Sequence, residues 1–170
     1  MKKNLFLLVF MGLILTCNQS LSAQFINKMF FTELGGPGGI MSMNFDSRFN
    51  PQRTGFGCRI GAGFLIKEFE ENNYATRTVY TVPLGFNYIF GSPNVSSAFE
   101  VGAGATFLTR KASYYNYDVQ KPGNLIGHLT FMYRLSPTNG GFSLRVGFTP
   151  IIGTAGDLFP MGAIGFGYAF

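Results

Sequence analysis

The chain has 170 residues, with 13 Lys and Arg against 8 Asp and Glu, one His and a formal net charge of +5. Only 12% of the residues are charged, 16% are aromatic and 23 are glycine, which is little charge for a soluble domain, whose surface carries roughly a quarter. The surplus of basic residues is mild and forms no stripe, which argues against nucleic-acid binding.

In chain order, the first element is an export pattern. Lys2 and Lys3 precede an uncharged apolar run over residues 5–15, and a polar stretch leads to Ala23-Gln24. This is a secretory signal peptide, residues 1–23, with a small residue at the cleavage site. The run falls short of the about 20 apolar residues that a spanning helix needs. A lipoprotein signal with Cys17 lipidated is the alternative, and Ile14-Leu15-Thr16 lacks the small residue expected directly before the cysteine. Removal of residues 1–23 also removes Lys2 and Lys3, leaving eleven basic and eight acidic side chains in one domain, 24–170. Cys58 is then the sole cysteine, so neither an intramolecular disulfide nor a cysteine-based zinc site is expected.

Eight segments then alternate with period two: 26–35, 38–48, 56–66, 77–90, 98–108, 124–135, 141–150 and 161–170. In the second, Met41, Met43 and Phe45 oppose Ser42, Asn44, Asp46 and Arg48; in the fourth, Tyr80 to Phe90 oppose Thr81, Pro83, Gly85 and Asn87. In the seventh, Phe142, Leu144, Val146 and Phe148 oppose Ser143, Arg145, Gly147 and Thr149. Only the first segment is ambiguous. Pro83 has no N–H to donate, so a bulge is expected there. With both ends of the domain in the periplasm, the short turns after the second, fourth and sixth strands face the periplasm. The connections 67–76, 109–123 and 151–160 are longer and face outward, and Gly35-Gly36-Pro37 is a tight turn. No later segment is long and apolar enough for a transmembrane helix. A barrel with lipid outside and polar groups inside reconciles the low charge with the alternation.

The polar parity gathers the charges. Glu33, Asp46, Arg59, Glu100, His128, Arg134 and Arg145 are expected to form an interior ion-pair network, because confined charges must be paired and a barrel of this size is filled by side chains. His128 also shares a parity with Thr130, near Glu100 on the next strand; hydroxyl, base and acid are the parts of a nucleophilic triad. No metal motif is visible, and Gly102-Ala-Gly104 and Gly55-Phe-Gly57 lack the following helix that a phosphate loop requires. Cys58 is read as a lipid-facing small hydrophobe. In the fifth connection Arg110, Lys111, Tyr114, Tyr115, Tyr117 and Lys121 read as candidate contacts for a protein, a glycan or lipopolysaccharide phosphates, or as part of a membrane-interface girdle.

In the last eleven residues Ile164, Phe166, Tyr168 and Phe170 alternate with Ala163, Gly165, Gly167 and Ala169, as in closing strands of outer-membrane barrels. With Glu33-Leu-Gly-Gly-Pro-Gly-Gly39, Val82-Pro-Leu-Gly-Phe-Asn-Tyr88, Phe99-Glu-Val-Gly-Ala-Gly104 and Arg145-Val-Gly-Phe-Thr-Pro150, the domain resembles the small outer-membrane β-barrel proteins of the Bacteroidota. The resemblance implies a barrel in the outer membrane and carries over no catalytic residues. The expected fold is all-β, an eight-stranded antiparallel up-and-down transmembrane β-barrel with a filled polar interior. The expected role is non-enzymatic, structural or through extracellular loops, with no cofactor. The expected partners are outer-membrane lipid, lipopolysaccharide and, through the strand ending at Phe170, the barrel-assembly machinery. The alternatives are a lipid A-modifying hydrolase, a lipocalin-like carrier of a hydrophobic ligand with its parities reversed, and a weak pore.

Overall fold

A computed structural model describes residues 26–69, 75–112, 123–153, 156 and 158–170; the predicted signal peptide lies outside them. The strands are β1 (Lys28–Gly35), β2 (Met41–Arg48), β3 (Gly55–Phe69), β4 (Ala75–Phe90), β5 (Ser97–Ala112), β6 (Gly123–Leu135), β7 (Gly141–Phe148), β8 (Ile151–Ile152), β9 (Leu158–Phe159) and β10 (Gly162–Ala169). Each long strand pairs antiparallel with its chain neighbour, and β10 pairs with β1 and closes the ring.

The two short strands are continuations. β8 extends β7 against β6 in unchanged register, and β9 extends β10 against β8. The breaks fall at Pro150 and Pro160, neither of which has an N–H for the ladder. The wall is therefore a closed barrel of eight strands, and the connection expected over 151–160 is partly the outer end of the last hairpin. The other long hairpins also outrun expectation: β3 and β4 reach Phe69 and Ala75, and β5 and β6 reach Ala112 and Gly123. The expected bulge at Pro83 is corrected. Pairing to β3 lapses between Leu84 and Thr81, where the proline has no hydrogen to give, but resumes in the same register. The register shift lies instead in β5, between Phe107 and Ala112.

The period of two gives the wall two unlike faces. Outward stand Phe30, Met43, Phe56, Phe86, Phe99, Tyr133, Phe142 and Tyr168, all exposed. Inward, β1 resolves its ambiguity by burying Met29, Phe31 and Glu33. The inward residues of β4 and β5 change character away from the chain termini. On β5 they run Glu100, Gly102, Gly104, Thr106, Leu108; on β4, Asn87, Gly85, Pro83, Thr81, Val79. Charge gives way to small residues and then to apolar ones. At the far end Leu65, Val79, Leu108, Ile126 and Ile151 form a buried cluster with Phe159 and Met161 packed against it.

Small residues fill the middle because the β1–β2 connection sits there. It was expected as a tight turn at the rim. It is a single 3-10 turn, Gly36–Gly38, folded into the lumen with Gly36, Pro37 and Gly38 buried. The hydroxyl of Thr81 donates to the Gly38 carbonyl at 2.6 Å and that of Thr106 to the Pro37 carbonyl at 3.0 Å. Gly36 and Gly39 have φ of 75° and 102°, in the left-handed region that side chains other than glycine's strain to enter.

Candidate functional site

Between this plug and the chain termini, the inward charges form one alternating chain: Arg59, Glu33, Arg145, Glu100, Arg134, Asp46, Arg48. Glu33 accepts from Arg59 Nη2 at 2.5 Å and from Arg145 Nη1 at 3.2 Å. Glu100 accepts from Arg145 Nη2 at 2.9 Å, from Arg134 Nε at 2.5 Å and from the Asn87 amide at 2.8 Å. Asp46 is held by both Arg134 and Arg48. Asn44 Oδ1 accepts from Arg59 Nε at 3.1 Å, and Asn87 Oδ1 accepts from Arg48 Nη2 at 2.5 Å. Glu33 and Arg145 are fully buried.

Few of these ties join neighbouring strands. Glu33 on β1 reaches β3 and β7, Asp46 on β2 reaches β6, and Glu100 on β5 reaches β7 as well as β6. The pairs cross the lumen and fill it, as the width of an eight-stranded wall allows. One aromatic ring is enclosed with them. The Arg145 guanidinium carbon stands 4.1 Å from the Phe31 ring centre and that of Arg59 5.3 Å, an arrangement that favours a cation over a π face. Gly167 makes room for that ring, since a Cβ there would come within 2.4 Å of the Phe31 Cβ.

No family model matches this sequence, and no curated protein matches it. Among solved structures, the N-terminal β-barrel domain of Pseudomonas aeruginosa OprF is similar, with a TM-score of 0.55 and 14% identity. The match covers 85% of this chain and 96% of that domain. The chain has the fold of that barrel. At 14% identity the likeness is one of fold.

The predicted site residues fall into three groups. Glu33, Asp46, Arg59, Glu100, Arg134 and Arg145 lie in the alternating chain. His128 is placed apart from the ion pairs: it is buried beside Gly85 and Gly104, with Nδ1 3.4 Å from the Thr106 hydroxyl. The triad geometry is not assembled, because His128 pairs opposite Gly104, Thr130 opposite Gly102 and Glu100 opposite Met132, four residues from the His128 pair along β5. Of the fifth-connection residues, Arg110 is exposed near the end of β5 and Lys111 lies on the same strand. Tyr114, Tyr115, Tyr117 and Lys121 lie outside the described residues.

Four participants are not assigned to the network by the sequence. Arg48 shares the inward parity of Asp46 but was left out of the network, although its parity was the signal. Asn44 and Asn87 were visible by the same parity, but amides carry no charge to be balanced. Phe31 was hidden by the ambiguity of the first strand.

Proposed function

We propose that this chain is a non-enzymatic integral outer-membrane β-barrel protein of the small Bacteroidota type, exported by residues 1–23, closed to flow, and acting structurally or through its extracellular hairpins. The observation that carries the reading is the inversion of its surfaces. Phe86 and Phe142 are 68% and 67% exposed while Glu33 and Arg145 are 0% exposed. A water-soluble carrier needs the opposite arrangement, with apolar groups around a ligand and charge outside. In lipid the outward band is the buried one.

Aromatic pairing on the wall supports the same reading. Phe45, Phe30, Tyr168 and Phe142 stand in register across four strands, as do Phe90, Phe99 and Tyr133 across three others. These rows lie toward the chain termini, where a belt of amphipathic rings suits a membrane–water boundary. This orientation puts the short turns in the periplasm and the hairpins of β3–β4, β5–β6 and β8–β9 outside the cell.

The test is gel mobility of the protein from the outer-membrane fraction, boiled against unboiled. A mobility shift on boiling in that fraction is expected. Recovery as a soluble periplasmic or secreted protein would overturn the proposal.

A further inference from the structure

The alternating chain begins and ends on an arginine, so four cations meet three carboxylates and one positive charge is left over. Its Arg48 end opens onto a cavity at the terminal mouth of the barrel. Lys28, Arg48, Arg53 and Arg134 line that cavity against the single carboxylate of Asp46. Asp46 is already shared between Arg48 and Arg134. Arg53, from the short connection between β2 and β3, donates Nη2 to the Ser136 carbonyl at 2.6 Å, which fixes its plane across the mouth. Its Nη1 is buried and has no hydrogen-bond partner among the described residues. Burial, with the Arg134 cation adding to it, lowers the pKa of the Arg53 guanidinium from its ordinary value.

A buried donor without an acceptor and positive charge without a counter-charge are both costly. Both costs are relieved by the same group, a small oxyanion bearing several acceptor oxygens. Guanidinium forks match tetrahedral oxyanions of the phosphate type better than a point cation does.

We propose that the terminal mouth of the barrel is a phosphate-type oxyanion site, with Arg53 as its principal donor, Arg48 supplying positive charge beside it and Lys28 at its rim. Two sources offer that chemistry there: the headgroup phosphate of a phospholipid in the adjoining leaflet, and free inorganic phosphate.

The experiment uses the full domain folded in a non-ionic detergent, with the Arg53 side-chain Nε–H signal followed by NMR. Sodium phosphate is titrated against sodium chloride at matched ionic strength, and dihexanoyl phosphatidylglycerol is titrated separately. The expected result is a saturable shift with phosphate or with the lipid and none with chloride. Loss of one charge-assisted contact weakens binding by about tenfold or more, so Arg53→Gln, followed by calorimetry, is expected to lose at least that much affinity. Arg53→Lys is expected to retain part of it. Saturation by the lipid at lower concentration than by phosphate assigns the site to a headgroup; the reverse order assigns it to the free ion. Equal responses to phosphate and chloride, or unchanged affinity in Arg53→Gln, would overturn the proposal. Boiled and unboiled gel samples of every variant separate loss of the site from loss of the barrel.

Discussion

At the terminal end of the lumen, Glu33, Asp46 and Glu100 are held by four arginines in fixed geometry; at the distal end, Leu65, Val79, Leu108, Ile126 and Ile151 close the same tube by packing. The wall is continuous between them and its parity never changes, so the difference lies in the filling alone. Apolar contact is non-directional and roughly proportional to area, so the distal seal depends on volume. The charged filling has a larger desolvation cost, returned only when every partner is in place. One seal should degrade gradually under substitution and the other abruptly.

Glu100 offers the sharpest break. It receives Arg134, Arg145 and Asn87, so Glu100→Ala takes one of two carboxylates from each of two buried guanidinium groups, Arg134 keeping Asp46 and Arg145 keeping Glu33, and raises the uncompensated charge of the network. The expected loss is about 3–5 kcal/mol, the range for removing one partner of a buried pair, measured by denaturant unfolding in detergent micelles. A cost below that of the apolar substitution described next would mean that water or detergent compensates the charge and that the network is not sealed.

On the distal side, Leu65→Ala removes a side chain that is 6% exposed within the cluster. Truncations of this kind cost roughly 2–5 kcal/mol, the lower part of the range applying where the site relaxes, and the cluster is assembled from side chains of separate hairpins. About 2 kcal/mol is therefore expected. The comparison also has a salt arm: raising ionic strength should leave the Leu65→Ala difference unchanged, because no charge is involved.

A smaller change tests how closely the two fillings fit the wall. Gly167→Ala would bring a methyl within 2.3 Å of the Phe30 carbonyl oxygen and 2.4 Å of the Phe31 Cβ. Overpacking of this order costs about 1–3 kcal/mol, and the displaced ring is the one that Arg145 covers. The unfolding midpoint should fall, with the ring shift of Phe31 visible in aromatic NMR spectra. An unchanged midpoint would show that the charged layer has slack that the distances do not suggest.

Much of this contrast is legible in the sequence, because a period of two is strict and a one-residue error reverses every side chain. Asp46, Arg59, Glu100, Arg134 and Arg145 declare their face by parity alone, while Glu33, on the ambiguous first strand, joins them by its charge. Their partners do not. A row of paired residues climbs the wall from Met29 through Asp46, Arg59, Gly85, Gly104 and His128 to Ile151, so residues level along the axis are far apart in any local reading. Strand stagger, fixed by closure of the whole barrel, decides that Glu33 meets Arg145 and that Glu100 misses His128. The plug was hidden for another reason: Gly-Gly-Pro-Gly-Gly reads as a turn whether it lies on a rim or inside a lumen. The distal cluster was hidden because Leu65, Val79 and Leu108 lie within two residues of the expected strand ends, beside the connections 67–76 and 109–123.

His128 marks the boundary between the two fillings, and its substitution should have the smallest effect. Its one described polar contact is the Thr106 hydroxyl at 3.4 Å, long for a hydrogen bond, and Thr106 also serves the plug through the Pro37 carbonyl. His128→Asn keeps a polar group of smaller volume in the pocket left by Gly85 and Gly104. A cost of about 1 kcal/mol is expected, the net value of an ordinary buried hydrogen bond, read from the same unfolding transition. Lipid A from cells expressing the variant should carry the same acyl chains as that from cells expressing the parent, judged by mass spectrometry. A changed acyl pattern would restore the hydrolase reading, and it would require an acid other than Glu100, which lies in the charged half of the lumen, bound by Arg134 and Arg145.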